Sequence, residues 1–204
     1  MFGSNNMVKS GVFVCHGNIT IMAHEFTTSH LQDSLALFRF YKKLSEGAIE
    51  QVTDEQLFAE LDPEMTSIAV TLKHMAGNMR SRWVTFLTSD GEKPDRHRDS
   101  EFEEPPDTRE SLLKLWEEGW HCVFAALEPL AEEELSRTVF IRGQAHSVTQ
   151  AINRQIAHYA YHCGQIVLLA KHFQHAQWKS LSIPRGKSDE VNRRMAAGET
   201  GRPL

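Results

Sequence analysis

Four segments of the 204-residue chain repeat apolar residues at spacings of three and four, the pattern of a helix that buries one face. The expected helices cover about residues 29–48, 68–88, 109–128 and 148–173. No strong strand pattern accompanies them, although the segment 138–141 is expected to be extended. Four amphipathic helices of similar length predict an all-α fold, a four-helix bundle.

The predicted helices are separated by recognisable start and stop signals. Good N-cap residues precede the second, third and fourth helices, namely Thr66 or Ser67, Asp107 or Thr108, and Ser147. The stretch from Asp90 to Pro106 is polar, and loops of that length are usually functional or mobile. Its acidic residues, Glu101, Glu103 and Glu104, are interpreted as a solvated loop face.

Composition excludes several classes of protein. The formal net charge is −5 and no basic stripe stands out, which argues against a nucleic-acid partner. The cysteines, Cys15, Cys122 and Cys163, are too few and too widely spaced for a disulfide framework, which fits the cytoplasm. No apolar run approaches the length of a membrane span, so no membrane association is expected.

Three regions are expected along the chain. Residues 1–23 show no helical period and are predicted to be a disordered extension, residues 24–176 to form the bundle, and residues 177–204 to form a C-terminal tail. Pro184 restrains the backbone of the tail, and apolar residues flank it. We therefore expect the tail to be ordered rather than a solvated linker.

Two histidines on the fourth helix carry the chemistry. His158 and His162 are four residues apart, so their side chains lie on one face, and Gln165 continues that stripe. A pair at this spacing can bring two ring nitrogens to about 2 Å from one metal ion. A zinc protease is disfavoured, because that motif needs a glutamate where this chain has Tyr159.

The second helix could supply a third ligand. His74 belongs to a polar stripe, with Asn78 and Arg82, that runs beside the apolar stripe, so its imidazole could turn inward. If the two helices are neighbours, three neutral histidines meet in the core and leave coordination positions open. The alternative from the residues alone is that these are hydrogen-bonded core histidines without a metal.

At these residues the sequence resembles the DinB-like superfamily of bacterial metal-binding bundles. The matching elements are Leu72-Lys73-His74-Met75 and His158-x-x-x-His162-x-Gly164-Gln165. It looks more closely like one uncharacterised subfamily. The stretches that match it are His74 to Trp83, Asp90 to Pro94, Arg98 to Phe102, and the tail Leu181-Ser182-Ile183-Pro184-Arg185-Gly186. One departure is Val191-Asn192, where similar tails carry Phe-Asn.

The resemblance implies an up-down-down-up bundle, with an extended C-terminal tail and a short helix. It also implies a metal site formed by His74, His158 and His162 for nickel, zinc or iron, and a homodimer. Some members of the superfamily are transferases or isomerases that use a low-molecular-weight thiol. We therefore expect a metal-dependent thiol S-transferase acting on small molecules.

In that hypothesis Asn78, Arg82 and Gln165 support the ligands or contact the substrate. The alternative is a non-enzymatic bundle protein that binds metal in a stress response or serves a structural role.

Overall fold

Four long helices carry the apolar stripes that the sequence predicts. The computed structural model describes residues 28–198, which fall into two units, 28–179 and 180–198. The long helices of the first unit are α1 (His30–Ile49), α3 (Ile68–Trp83), α4 (Arg109–Leu127) and α5 (Val148–Gln174). A short helix, α2 (Asp54–Phe58), lies between α1 and α3. The prediction of an all-α bundle is confirmed.

Local side-chain chemistry sets the helix starts. Ser29, Ser67, Thr108 and Ser147 each accept a hydrogen bond from the backbone N–H three residues later, as an N-cap does. The end of α3 was predicted wrongly, since the helix stops at Trp83 and not at residues 89–91. Its apolar pattern continues to Phe86, which is buried, but Thr85 adopts a φ of 51° that a helix cannot contain.

Contacts between helix ends give the direction of each helix. Arg109, at the start of α4, donates to the carbonyls of Ile49, the last residue of α1, and of Val52 just beyond it, so α1 and α4 are antiparallel. The chain just after α1 also meets the end of α5, where Gln56 donates to the carbonyl of Phe173. α1 and α5 are therefore parallel.

The direction of α3 follows from the residues at its two ends. Thr66, just before α3, lines a cavity with Leu169, whereas Phe86, just after α3, lies beside Ala151. α3 therefore runs antiparallel to α5 and parallel to α4. The order is up-down-down-up, and the long connection 84–108 carries the chain from the end of α3 back to the start of the parallel helix α4.

An aromatic cluster joins all four long helices. Phe38 of α1 packs against Trp83, Trp120 and Tyr159, one from each of the other long helices, with ring centroids 5.6–6.3 Å apart. The Tyr159 hydroxyl accepts from Trp83 Nε1 at 3.0 Å and donates to Asn78 Oδ1 at 3.3 Å. This core fixes α3 against α5, the two helices that carry the histidines.

A small hairpin anchors the long connection. Strands β1 (Thr138–Ile141) and β2 (Gln144–Ser147) pair antiparallel, as the extended segment 138–141 predicts. Both turn residues, Arg142 and Gly143, have positive φ, the conformation of a tight hairpin turn. The Asp90 carboxylate accepts from the backbone N–H groups of both, at 2.8 and 2.7 Å. The first part of the 84–108 connection is thereby tied to the hairpin.

The second described unit contains the predicted short C-terminal helix, α6 (Ser188–Ala196). It follows a turn in which the Lys187 N–H donates to the carbonyl of Pro184. The predicted disorder of residues 1–23 lies outside the described residues. The domain boundaries and the homodimer stay predictions. In the described part of the chain, no helix has the length and apolar character needed to cross a membrane.

Candidate metal centre

Three imidazoles from two helices converge in the bundle. His74 projects from α3, and His158 and His162 project from α5. The Nε2 atom of His158 lies 3.4 Å from His74 Nε2 and 3.1 Å from His162 Nε2. One ligand atom from each histidine lies within 4.8 Å of the others, so the group could hold a metal ion. The structure thus brings together the three histidines that the sequence singles out.

Partners at the opposite ring nitrogens fix two of the tautomers. His74 Nδ1 lies 2.9 Å from Glu101 Oε2, and an ionised carboxylate only accepts, so Nδ1 carries the proton. His162 Nδ1 lies 2.7 Å from Gln165 Oε1, which also accepts. His162, whose pKa is lowered to about 4, therefore turns its Nε2 lone pair toward His158. His158 Nδ1 is buried and has no hydrogen-bond partner among the described residues.

The Glu101 carboxylate is buried, and the interpretation of this residue as part of a solvated loop face is wrong. A short 3₁₀ helix, Asp99–Phe102, turns it toward α3. Arg96 donates to both carboxylate oxygens, at 2.7 and 2.8 Å, and its third nitrogen donates to Glu92 at 3.1 Å. Burial alone would raise the pKa of Glu101, but the hydrogen bonds from Arg96 and His74 hold that pKa below its ordinary value.

A glycine makes room for this carboxylate. An added Cβ at Gly77, one turn after His74 on α3, would lie 2.6 Å from Glu101 Oε1. Any larger residue would push the carboxylate away from the helix. The Phe102 ring completes the enclosure of His74, with ring centroids 4.3 Å apart.

Burial keeps the two α5 histidines neutral. Burial first, and then the nearby imidazoles of His162 and His74, lower the pKa of His158 to about 3. Burial also lowers the pKa of His162 to about 4, although its hydrogen bond with Gln165 acts in the opposite direction. Neutral imidazoles are the form that binds a metal ion.

The spacing of the imidazole nitrogens is compatible with a bound metal ion. Two imidazole nitrogens on a tetrahedral ion at ordinary bond lengths lie about 3.3 Å apart, and the Nε2 separations here are 3.1 and 3.4 Å. Without an ion, His158 can carry its one proton on Nε2 and donate it to His162 Nε2, so metal binding requires that proton to lie on Nδ1 instead. A carboxylate on the outer nitrogen of a ligating histidine is also a common feature of such sites.

A cavity of about 560 Å³ adjoins the histidines. All three imidazoles contribute to its wall, together with Gln165 and apolar residues of α5 and of the 84–108 connection. Pockets that bind small molecules have this size and are mostly apolar. His158 is the most open of the three histidines, whereas His74 and His162 reach this cavity but are only 4% and 8% exposed.

The three expected supporting residues have different surroundings. Gln165 contacts His162 and lines the cavity. Asn78 accepts from Tyr159, and Arg82 is buried against Glu92, to which it donates at 2.8 Å. Their described contacts lie in the core and in the loop rather than at the imidazoles, so a role for Asn78 and Arg82 at the site stays a prediction.

Sequence reasoning missed Glu101, Arg96 and Gly77. The only local signal for Glu101 was its place among acidic residues in a long loop, which equally describes a solvated surface. The spacing of His74 and Gly77 becomes informative only when the loop is known to cross α3.

One family model matches the chain. Its description is "Protein of unknown function (DUF1572)", and it covers residues 25–187, the greater part of the sequence. A comparison with curated proteins and a comparison with solved structures each gave no match. The matched family is of the DinB-like type, in agreement with the all-α bundle and the three-histidine cluster. The chain belongs to the DUF1572 family, a family of the DinB-like type.

Proposed function

We propose that this protein binds one divalent metal ion through His74, His158 and His162 and is a metal-dependent enzyme acting on a small molecule, with thiol S-transfer as the reaction. The observation that carries the proposal is the convergence of three imidazole Nε2 atoms at the wall of a 560 Å³ cavity. Three protein ligands leave coordination positions open, which is the arrangement of catalytic rather than structural sites.

The chain's own residues prepare the site. Glu101 accepts a hydrogen bond from the Nδ1–H of His74 and holds that imidazole in one orientation. Gln165 does the same for His162, and its amide nitrogen donates to the Tyr161 hydroxyl at 3.3 Å. A bound divalent ion would lower the pKa of a coordinated thiol or water and so supply a nucleophile near neutral pH.

Among the described residues that line the cavity, no carboxylate lies beside the imidazoles to act as a general base. Glu64 is the acidic residue of the wall, and it is exposed at the rim. The buried Glu101 is paired with Arg96 and is not free to take a proton from a substrate. Activation by the ion is therefore the chemistry that this site favours.

Metal content and thiol consumption test the proposal in sequence. Protein purified without chelator is analysed for elements, then loaded separately with nickel, zinc and iron(II). Each form is mixed with glutathione, bacillithiol or mycothiol and a model electrophile, and loss of free thiol is followed. We expect about one metal per chain and thiol loss that disappears in His162→Ala. No metal uptake would overturn the whole proposal, whereas uptake without thiol loss would support the non-enzymatic alternative.

A further inference from the structure

Exposed apolar side chains concentrate at the cavity beside the histidines. Seven large hydrophobic residues are exposed in the described part of the chain, and four of them, Met65, Phe102, Tyr161 and Leu168, line this cavity. Tyr161 and Leu168 stand on the same face of α5 as Gln165 and are 63% and 64% exposed. Clustered exposed apolar surface commonly marks a binding site.

A positive charge is held on the same wall. The Arg98 guanidinium lies 4.9 Å from the centroid of the Phe102 ring, and that ring lies 4.3 Å from the ring of His74. The guanidinium is therefore no more than about 9 Å from the His74 imidazole, held by its contact with an aromatic face.

Arg98 differs from the neighbouring cations in its partners. Its ion pair with Asp99 is long, at 3.8 Å, and that carboxylate is fully open to solvent, so the pair is weak. Arg96 is committed to Glu101 and Glu92, and Lys73 donates to the carbonyls of Ser100 and Glu104. Arg98 can therefore bind an anion in the cavity at little cost.

We propose that the cavity takes a small amphiphilic anion. Its apolar body would lie against Phe102, Tyr161 and Leu168, and its carboxylate or comparable anionic group would pair with Arg98. Its reacting group would then face the histidines. The last part rests on the proposed function, whereas the contacts to Arg98 and to the apolar wall do not require a metal ion.

Binding of matched eight-carbon probes tests the charge preference. Octanoate, octan-1-ol and octylammonium are titrated calorimetrically into the full-length protein as purified. We expect octanoate to bind most tightly and octylammonium least. Arg98→Gln should weaken octanoate by about tenfold, the worth of a charged hydrogen bond, and leave octan-1-ol unchanged. Arg39→Gln is the matched control, because Arg39 is also exposed and also stacks on a phenylalanine, Phe124.

Leu168→Asn tests the apolar wall, and a His162→Ala background separates binding at Arg98 from coordination to a metal ion. Leu168→Asn should weaken all three probes. The Arg98 effect should persist in a His162→Ala background, which would show that octanoate is not simply coordinating a metal. Equal binding of octanoate and octylammonium, or an unchanged octanoate affinity in Arg98→Gln, would overturn the inference. A change of mass by light scattering in Leu168→Asn, without a change in affinity, would make the apolar wall an interface between copies and also overturn it.

Discussion

The two sides of the candidate metal centre are built differently. On the α5 side, His162 finds its outer partner one helical turn away, in the neutral amide of Gln165, which is half-buried. On the α3 side, the partner of His74 is Glu101, a buried carboxylate 27 residues along the chain in a loop. Regular helices thus bring the nitrogen atoms together, and the loop adds charge and fixes orientation.

Loss of a helix-borne ligand should have the largest effect. His162→Ala leaves two imidazoles, so we expect metal content to fall from about one per chain to background. Elemental analysis after dialysis measures it. His172→Ala, on the same helix but outside the cluster, is the control and should retain the metal. Full occupancy in His162→Ala would mean that the ion binds elsewhere.

Removal of the Glu101 charge should have the second-largest effect on metal binding. Glu101→Gln keeps the shape of the side chain but not its charge, and loss of such a partner typically lowers metal affinity by about 10- to 100-fold. Competition with a chromophoric chelator gives the affinity. Glu103→Gln, an exposed position in the same loop, should change nothing. Equal metal affinities in Glu101→Gln and Glu103→Gln would show that the buried carboxylate contributes no more to metal binding than the exposed one.

A substitution on α3 can displace the Glu101 carboxylate of the loop. Gly77→Ala places a methyl group within 2.6 Å of Glu101 Oε1, so the carboxylate must shift from His74. We expect metal affinity to fall by up to about tenfold, the low end for a displaced partner.

Gly164→Ala on α5 is the matched control for Gly77→Ala, since an added Cβ there meets nothing within 4 Å. It should stabilise the helix by up to about 1 kcal/mol, seen by thermal unfolding, without changing metal affinity. A loss of affinity in Gly164→Ala comparable to that in Gly77→Ala would contradict the steric explanation.

Loss of Gln165, the neutral partner of His162 on α5, should have the smallest effect on metal affinity. Gln165→Leu removes one hydrogen bond to His162, and we expect about a threefold loss of metal affinity, as for a neutral hydrogen bond. Gln165→Glu sharpens the comparison, because a carboxylate at this position should raise the affinity. A loss in Gln165→Leu as large as that in Glu101→Gln would remove the distinction between the two sides.

The helix side of the site was predictable because it depends on local spacing. A spacing of four places His158 and His162 on one face whatever surrounds the helix, and Ser67 and Ser147 mark where α3 and α5 begin. The spacing of apolar residues along the helices could not predict the up-down-down-up order, which the family resemblance implied.

Glu101 and Arg96 could not be predicted, because loop residues have no period. Whether a loop glutamate turns inward depends on space at Gly77 and on a buried cation, both of which are tertiary facts. Asn78 and Arg82 show a related limit, since they share a stripe with His74 but point to Tyr159 and Glu92.

The separation of the ligands along the chain affects how the protein is made. His74 and His158 are 84 residues apart, and α5 is synthesised after α1, α3 and α4. An ion that uses all three histidines could be held only after α3 and α5 have packed together, which the aromatic cluster around Phe38 promotes. Such an ion would bind the closed bundle and not the open chain, so metal supply would raise the stability of the protein as well as its occupancy.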